Sequence, residues 1–301
     1  MSILKGNLRN NFFESKLKES FKQNQLLVKR TSNFKKLDEV QTLKPCIYVA
    51  GGETGIGKST FIQQIAEQML DNNPHECLIY VTYELTEEDV YYKSLTRCIY
   101  QSNPQKAIKE SQLQNHADDP VLLDAATQLG ARSPLMFVME FPGEKEQLFE
   151  QLYKAVAEFK EIDPLIYSPI VVLDYIQDVP HKDTIPAKTN IDHILHMMKE
   201  FQHKTNSTVF VISSINRQSY DLPAKNNNTP FKESGNIEYG AAVNWIFKYE
   251  KVDDEHGTFI LTCTKSRKGL KDYTLYFDYY HQYDTFVECD KSPNKNHQVW
   301  R

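Results

Sequence analysis

Short apolar runs alternate with amphipathic stretches along most of the chain. The runs are rich in Val, Ile, Tyr and Phe, which favour strands, and stretches with helical spacing of apolar positions separate the first five of them. Buried strands that alternate with helices predict an α/β fold with a mainly parallel sheet covered on both faces. The last three runs have no helix between them and should form an antiparallel edge. Eight strands are therefore predicted, at 46–50, 77–84, 135–141, 170–174, 208–214, 244–250, 258–266 and 273–278.

Three segments depart from this alternation. Residues 102–134 are polar and helix-like without a clear strand, which indicates an insertion. Residues 1–30 carry a narrow apolar stripe that cannot fold alone, so they are either a frayed tail or a helix that docks on another surface, such as a neighbouring subunit. Residues 291–301 resemble a mobile tail. The predicted organisation is a linker or docking helix (1–30), one α/β domain (31–290) and a flexible tail (291–301).

Composition narrows the class of protein. The 301 residues are 40% hydrophobic and include 17 Tyr and 16 Phe, which argues against disorder. The net charge of −5 carries no global nucleic-acid signature, so contacts with DNA would need local basic loops. The five cysteines form no C-x-x-C pair, which indicates neither a zinc site nor a disulfide framework. Without a signal peptide or an apolar run of about eighteen residues, a soluble cytoplasmic protein without a membrane partner is expected.

The stretch "GGETGIGKST" at residues 51–60 lies between a predicted strand and a predicted helix. Gly52, Gly57, Lys58 and Ser59 satisfy the pattern G-x-x-x-x-G-K-[ST] of a phosphate-binding loop. Loop N–H groups and the helix dipole would face a polyphosphate, the lysine would reach its β and γ phosphates, and the serine hydroxyl would hold Mg²⁺. A glycine-rich structural turn is the alternative. The predicted nucleotide-binding residues are Gly52, Glu53, Thr54, Gly55, Ile56, Gly57, Lys58, Ser59 and Thr60.

Two carboxylates are candidates for the rest of a nucleotide site. Asp174 ends the run "IVVLD", at the carboxyl end of a buried strand, where open α/β sheets bind ligands. It could orient Mg²⁺ and water, or merely cap a turn. Glu84 ends the second strand, expected beside the P-loop strand, and precedes the acids that begin the next helix. Hydrolysis needs a base or a residue that positions water, and Glu84 is the candidate.

Basic residues occur in two further places. The stretch "TKSRKGLK" follows a strand and is interpreted as an exposed basic turn, with a solvated hairpin as the alternative. The stretch 216–236 contains Arg217, Lys225 and Lys232 among Asn, Pro and Gly, and indicates a long polar loop. Long loops in compact domains are often functional, and cations with backbone N–H groups can hold phosphates without reading bases.

Seven motifs occur in a recognisable order: "TSNFKKLDEV" (31–40), "GETGIGKS" (52–59), "TYEL" (82–85), "LDYIQ" (173–177), "ISSINR" (212–217), "KESGNIE" (232–238) and "KSRKG" (265–269). Together they resemble the RecA-like motor domain of DnaB-type replicative helicases. The resemblance spans 31–278. It implies a RecA-like P-loop NTPase with a mainly parallel central sheet, antiparallel C-terminal edge strands and a short N-terminal linker helix.

The resemblance also implies roles for individual residues. Glu84 matches the catalytic glutamate and Asp174 the Walker B aspartate, a Mg²⁺ ligand through water. Lys265 and Arg267 match the pair that reaches a neighbouring subunit's γ-phosphate, which requires an oligomer, expected to be a hexamer. The long loop would grip single-stranded DNA. The residues predicted to bind DNA are Arg217, Lys225, Lys232, Glu233 and Gly235.

The resulting hypothesis is a ring-forming, ATP- and Mg²⁺-dependent DNA helicase that translocates on single-stranded DNA, of the kind a phage or plasmid could carry, with primase or a loader as a candidate partner. By the same comparison, the family's separate N-terminal helical domain is expected to be missing, with only residues 1–30 in the place of the linker helix. Ser214 stands where the family has a glutamine that senses the γ-phosphate. Two alternatives stay open: a non-unwinding ATPase that loads or remodels a replication complex, and a nucleotide-dependent assembly or decoy subunit of a helicase ring.

Overall fold

A computed structural model describes residues 30–73, 75–131, 135–182, 184–215 and 240–290. Among these, nine strands form one sheet in the order β3-β2-β4-β5-β1-β6-β7-β8-β9. The strands up to β6 pair in parallel, and β6 to β9 pair antiparallel, so the prediction of a mainly parallel sheet with an antiparallel C-terminal edge is confirmed. The strands are β1 Ile47–Gly52, β2 Leu78–Thr82, β3 Met136–Glu140, β4 Ile170–Asp174, β5 Thr208–Ser214, β6 Val243–Lys251, β7 Gly257–Ser266, β8 Thr274–Tyr280 and β9 Thr285–Cys289.

Helices cover both faces of the sheet. The α-helices among the described residues are α1 Lys35–Val40, α2 Lys58–Asn72, α3 Glu87–Ser102, α4 Pro120–Gly130, α5 Lys145–Ile162 and α6 Ala187–Thr205. Short 3-10 helices occupy Pro104–Lys106, Glu110–His116, Ile176–Asp178 and His281–Tyr283. The start of α3 is fixed by Thr86, whose hydroxyl accepts the Asp89 N–H while the Asp89 carboxylate accepts the Thr86 N–H.

The central strand β1 is buried on both faces, which explains why its residues are apolar. Tyr48 and Ala50 face one core, in which Phe61 of α2 packs, whereas Val49 faces a second core with Leu152 of α5 and other residues of α5 and α6. Successive side chains of a strand point to opposite faces, so a strand covered on both sides is a continuous apolar run rather than an alternating one. The two cores fix β1 from both faces, and with it the position of its carboxyl end, from which the P-loop begins.

The stretch expected to be an insertion contains no strand in its described part. Two 3-10 helices and α4 pack with the end of α3 around a small core of their own, formed by Cys98, Ile99, Ile108, Leu113 and Ala125. This satellite core is separate from the two cores that cover the sheet. The segment is therefore an attached lobe that leaves the sheet unchanged.

Two features of the sheet differ from the sequence-based prediction. Strand β2 does not lie beside the P-loop strand, because β4 and β5 separate it from β1. All the inner strands are equally apolar, so the pattern of the sequence contains no information about their spatial order. A ninth strand, Thr285–Cys289, pairs with β8 and was not predicted, because it follows the preceding strand after only four residues, three of them in a 3-10 helix.

Several predictions fall outside the described residues, namely those on 1–29, on the whole of the polar loop (216–236) and on 291–301. Four of the five cysteines are buried, and none of the five, all of which lie in the described ranges, forms a disulfide. No helix in the described ranges is long and apolar enough to cross a membrane.

Candidate nucleotide site

The loop between β1 and α2 takes a shape that requires glycine. Gly55 and Gly57 have φ angles of 80° and 95°, in the left-handed region that favours glycine. A Cβ atom on Gly57 would lie 2.7 Å from a ring carbon of Tyr279, so the loop also passes too close to β8 for any side chain there. The loop thus bends sharply and exposes its backbone N–H groups just before the first turn of α2, which is how phosphates are bound at helix N-termini.

Lys58 begins α2 and turns back over the loop. Its Nζ donates a hydrogen bond of 2.6 Å to the carbonyl oxygen of Glu53, and the residue is 9% exposed. Burial lowers the pKa of Lys58, and the charges of Asp174 and Glu84 oppose that shift. A largely buried ammonium held over a loop of backbone N–H groups is suited to bind a polyphosphate.

Asp174, the last residue of β4, is fully buried and accepts two hydrogen bonds. The Ser59 hydroxyl donates to Oδ1 at 2.9 Å, and the Tyr80 hydroxyl donates to Oδ2 at 2.7 Å. Burial is the main cause that raises the pKa of Asp174 to about 6, while both hydrogen bonds act in the opposite direction. The contact between Ser59 and Asp174 brings together the two residues predicted to serve Mg²⁺.

This pair fits a magnesium ion by its chemistry. A hydroxyl and a carboxylate are hard oxygen donors, and Mg²⁺ in nucleotide sites is commonly held by one or two protein groups together with waters and substrate phosphates. Ser59 stands one residue after Lys58, so an ion there would lie next to the phosphates that the lysine and the loop bind. Tyr80, which orients the carboxylate from the neighbouring strand β2, was not foreseen from the sequence.

Glu84 lies in the turn between β2 and α3 and not within the strand end as expected. Strand pairing stops at Thr82, because its side-chain hydroxyl oxygen accepts the backbone N–H groups of Glu84 and Leu85 at 3.2 and 2.8 Å. The turn leaves Glu84 exposed at the rim of the same cavity. Its charge contributes to the raised pKa of Asp174, so the two carboxylates are close enough to interact.

One cavity of about 240 Å³ collects these residues. Among the predicted residues, it is lined by Thr54, Gly55, Gly57, Lys58, Ser59, Thr60, Glu84, Asp174 and Ser214. Sequence reasoning missed five other lining residues, which are Leu85, Lys93, Tyr175, Ile212 and Tyr279. Gly52, Glu53 and Ile56 do not line it. A larger groove of about 540 Å³ at the start of α5 is lined by Phe141, Pro142, Gly143, Gln147, Glu150, Gln151 and Lys154, without the convergent charges of the smaller cavity.

Ser214 ends β5 directly opposite Gly52 of β1 and is half-buried in the cavity wall. The side chain of Gln177, from the turn after β4, spans to this strand end. Its Nε2 donates to the Ser213 hydroxyl at 2.8 Å, and its Oε1 accepts the Ser214 N–H at 3.4 Å. A glutamine amide is therefore present beside this strand end, supplied by the neighbouring loop.

Lys265 and Arg267 lie near the amino end of the P-loop strand β1, away from the cavity at its carboxyl end. Lys265 of β7 is opposite Asn244 of β6, whose neighbour Val243 pairs with Tyr48 near the start of β1. The P-loop begins beyond the far end of β1, a separation of roughly 13 Å along the strand at about 3.3 Å per residue. Arg267 is exposed just after β7. Neither residue lines the cavity of its own chain.

The residues predicted to bind DNA, Arg217, Lys225, Lys232, Glu233 and Gly235, all lie outside the described residues. The strand that leads to them, β5, ends at Ser214 in the cavity wall. In the sequence, the stretch 216–236 that contains them begins two residues after this strand end.

Comparison with known proteins decides the family. Residues 30–288 match the family model described as the DnaB-like helicase C terminal domain. The chain belongs to this family. The match covers well over half of the chain and confirms the resemblance drawn from the seven motifs. Among curated protein sequences, none shows a significant match.

Solved structures share the fold at low sequence identity. One solved ATPase domain superimposes with a TM-score of 0.73 and 16% identity, over 93% of this chain and 99% of that one. A DnaB-like replicative helicase, solved in a study of its interactions with primase, gives a TM-score of 0.72 and 16% identity over 94% and 67%. A KaiC-like protein from the archaeon Pyrococcus horikoshii gives 0.52 and 13% over 82% and 90%. The RecA-like fold expected from the sequence is thereby confirmed.

Proposed function

We propose that this chain is the ATP-hydrolysing motor of a ring-forming DNA helicase that translocates on single-stranded DNA. The observation that carries the proposal is the convergence of Lys58, Ser59, Asp174 and Glu84 on one cavity at the carboxyl edge of the parallel strands. Membership of the DnaB-like helicase family supports the same activity. The proposed cofactors are ATP and Mg²⁺.

In this proposal the P-loop residues bind the triphosphate. Lys58 and the backbone N–H groups of residues 53–59 hold the β and γ phosphates, and Ser59 with Asp174 holds Mg²⁺, Asp174 through a water molecule. The ion supplies positive charge that neutralises the phosphates during transfer. Tyr80 keeps the carboxylate of Asp174 oriented, because its hydroxyl donates to Oδ2 at 2.7 Å.

Glu84 is the proposed base for hydrolysis. It is exposed at the rim of the cavity, so a water molecule can reach it, and its charge is felt at both Lys58 and Asp174. A carboxylate in that position can orient the attacking water and accept its proton. The change Glu84→Gln keeps the shape of the side chain and removes its ability to accept a proton, so it tests this role alone.

Lys265 and Arg267 are the proposed contribution of one subunit to the next subunit's site. Their position at the opposite edge of the sheet supports action in trans, because roughly 13 Å of β1 and the whole loop separate them from their own cavity. An arginine that stabilises transition-state charge from another subunit is worth about 10³–10⁵ in rate. A ring, proposed to be a hexamer, would supply such interfaces.

Single-stranded DNA is the proposed polymer, bound by Arg217, Lys225, Lys232, Glu233 and Gly235 through its backbone. Primase or a helicase loader is a candidate partner. The test combines mass photometry with a non-hydrolysable ATP analogue, with and without oligo-dT, and a forked-duplex unwinding assay. ATP-dependent rings that unwind the fork are expected. ATPase turnover without strand displacement would refute the helicase proposal.

A non-unwinding ATPase that loads or remodels a replication complex is the second candidate. Ser214 favours it, because a serine hydroxyl is about two bonds shorter than the family's glutamine side chain and would need a bridging water to report on a γ-phosphate. A wild-type protein that hydrolyses ATP without displacing a strand would support this candidate. A protein that does neither but assembles into rings would support a decoy subunit.

A further inference from the structure

Three residues in the lining of the candidate nucleotide cavity lie outside the P-loop and differ from it in chemistry. They are Leu85, Lys93 and Tyr279, and they line the same cavity as Thr60, the residue that follows Ser59. An aliphatic side chain, an aromatic ring, a hydroxyl and one amine make a mixed surface typical of sites that bind flat, partly apolar groups with a few polar atoms. The cavity has two lysines in its lining, and Lys93 is the one that the P-loop pattern does not explain.

Lys93 is held in place by acids from two distant segments. Its Nζ donates to Oδ1 of Asp284 at 2.9 Å and lies 3.6 Å from Oε2 of Glu110. The side chain of Lys93 is 18% exposed and that of Asp284 only 2%. A lysine ammonium has three N–H donors, and Asp284 takes one at hydrogen-bond distance, so a donor remains for a molecule in the cavity.

Asp284 is itself fixed against the first turn of the P-loop helix. The Thr60 hydroxyl donates to its Oδ1 at 3.4 Å, and the Arg97 guanidinium donates to its backbone carbonyl at 3.0 Å. Arg97 also pairs with Glu67 of α2 at 3.2 Å. Lys93 is therefore tied to α2, the helix that carries Lys58 and Ser59, and cannot swing away from the cavity without breaking a buried ion pair.

The pairing decides which part of a nucleotide Lys93 suits. An ammonium that is already neutralised by a buried carboxylate gains little from a second anion, because the phosphate would be repelled by Asp284 and Glu110. It can still donate a hydrogen bond to a neutral acceptor, and such charge-assisted bonds are stronger than neutral ones. Ribose hydroxyls and purine ring nitrogens are acceptors of this kind.

We propose that Lys93 is a nucleoside-binding residue that donates a hydrogen bond to the ribose or base of the bound nucleotide, with Leu85 and Tyr279 as its apolar surroundings. This inference rests on the proposed ATP site. Glu110 belongs to the 3-10 helix Glu110–His116 of the inserted lobe, so the lobe contributes to the placement of the amine that reads the nucleoside.

The test compares ligands with and without a nucleoside by isothermal titration calorimetry on the full chain with Mg²⁺. Lys93→Met should weaken ADP binding about tenfold, corresponding to one charge-assisted hydrogen bond, and leave inorganic tripolyphosphate binding unchanged. Comparison of ADP with 2′-deoxy-ADP on the wild type then separates a ribose contact from a base contact. Lys154→Met, on the exposed face of α5, is the matched control and should change neither affinity.

Equal weakening of ADP and tripolyphosphate would overturn the proposal and make Lys93 a phosphate ligand. Unchanged affinity for both would overturn it as well and leave Lys93 a structural residue. If Lys93→Met does not fold, Lys93→Arg keeps the charge beside Asp284 but displaces the donor, and the same selective loss of ADP affinity is expected. A wild type that binds tripolyphosphate but gains nothing from the nucleoside refutes this inference alone, whereas no binding of either ligand refutes the nucleotide site.

Discussion

Replacement of Arg30 by methionine should cost the fold about 3–5 kcal/mol. The guanidinium is fully buried, and its Nε donates to Glu76 Oε1 at 2.7 Å while a second nitrogen pairs with Oε2. It also donates to the carbonyls of Leu43 and Ser168 and to the Thr208 hydroxyl. Methionine fills similar space without these donors and leaves a buried carboxylate uncompensated, which is where the expected magnitude comes from. A typical total stability is about 5–15 kcal/mol, so the loss should be large.

The pH dependence of this loss has a definite sign. Burial raises the pKa of Glu76 above 4.5, and Arg30 holds it down. In Arg30→Met the pKa should rise further, so the folded state keeps a proton that the unfolded state releases. The variant's free energy of unfolding should therefore fall as pH rises from about 4.5 through the folded pKa, and level off above it. The deficit against wild type should be smaller at pH 5 than at pH 8.

Urea unfolding at 25 °C, followed by far-UV circular dichroism at both pH values, measures the effect. The double change Arg30→Met/Glu76→Leu should be less damaging than Arg30→Met alone, because no unpaired charge stays buried. The exposed pair of Lys154 and Glu158, 3.7 Å apart, provides the control, and Lys154→Met should change stability by no more than about 0.5 kcal/mol. A loss below about 1 kcal/mol for Arg30→Met, or equal losses at the two pH values, would refute the reasoning.

Three further predictions concern turnover. Lys58→Ala should abolish ATP hydrolysis and sharply weaken nucleotide binding, whereas Glu84→Gln should bind ATP and lose turnover; hydrolysis by Glu84→Gln near the wild-type rate would contradict the assignment. Arg267→Ala should bind ATP and hydrolyse it poorly. Mixing it with Lys58→Ala protein should restore activity at interfaces where an intact P-loop of one subunit meets an intact Arg267 of its neighbour; a fully active monomeric wild type would exclude this action between subunits. Tyr80→Phe removes a hydrogen bond that holds down the pKa of Asp174, which is about 6 in the wild type. The acid limb of its kcat/KM profile should therefore move to higher pH, and an unmoved limb would show that Asp174 does not control it.

The P-loop could be predicted from the sequence because its function depends on contiguous residues. Gly55, Gly57, Lys58 and Ser59 act through one turn, and the left-handed backbone at both glycines leaves a local signature. Asp174 could be predicted for a related reason, since it ends an aliphatic run and carboxyl ends of parallel strands form the binding edge. Local chemistry of this kind does not depend on knowing the strand order.

Tyr80 and Lys93 could not be found in the same way. Tyr80 is one more aromatic residue in a buried strand, and its hydroxyl meets Asp174 only because β2 lies beside β4. Lys93 depends on Asp284, which is 191 residues away in the sequence and lies in the turn between β8 and β9. Periodicity predicts which residues are buried, but it does not predict which polar groups meet across strands whose order is undetermined.

The cavity and the basic turn lie at opposite ends of the parallel strands, which constrains any assembly that brings the two together. The cavity lies at the carboxyl end of β1, whereas the basic turn with Arg267 lies near its amino end. Arg30 lies at the same amino end, where it bridges the segments that precede β1, β2 and β4 and the first residue of β5. In a two-fold dimer one surface patch meets the same patch of the partner, and a cavity and a basic turn at opposite ends of the strands do not share one patch. Contact between a basic turn and a neighbouring cavity instead requires a head-to-tail interface, which repeats until a ring closes or a helical filament forms.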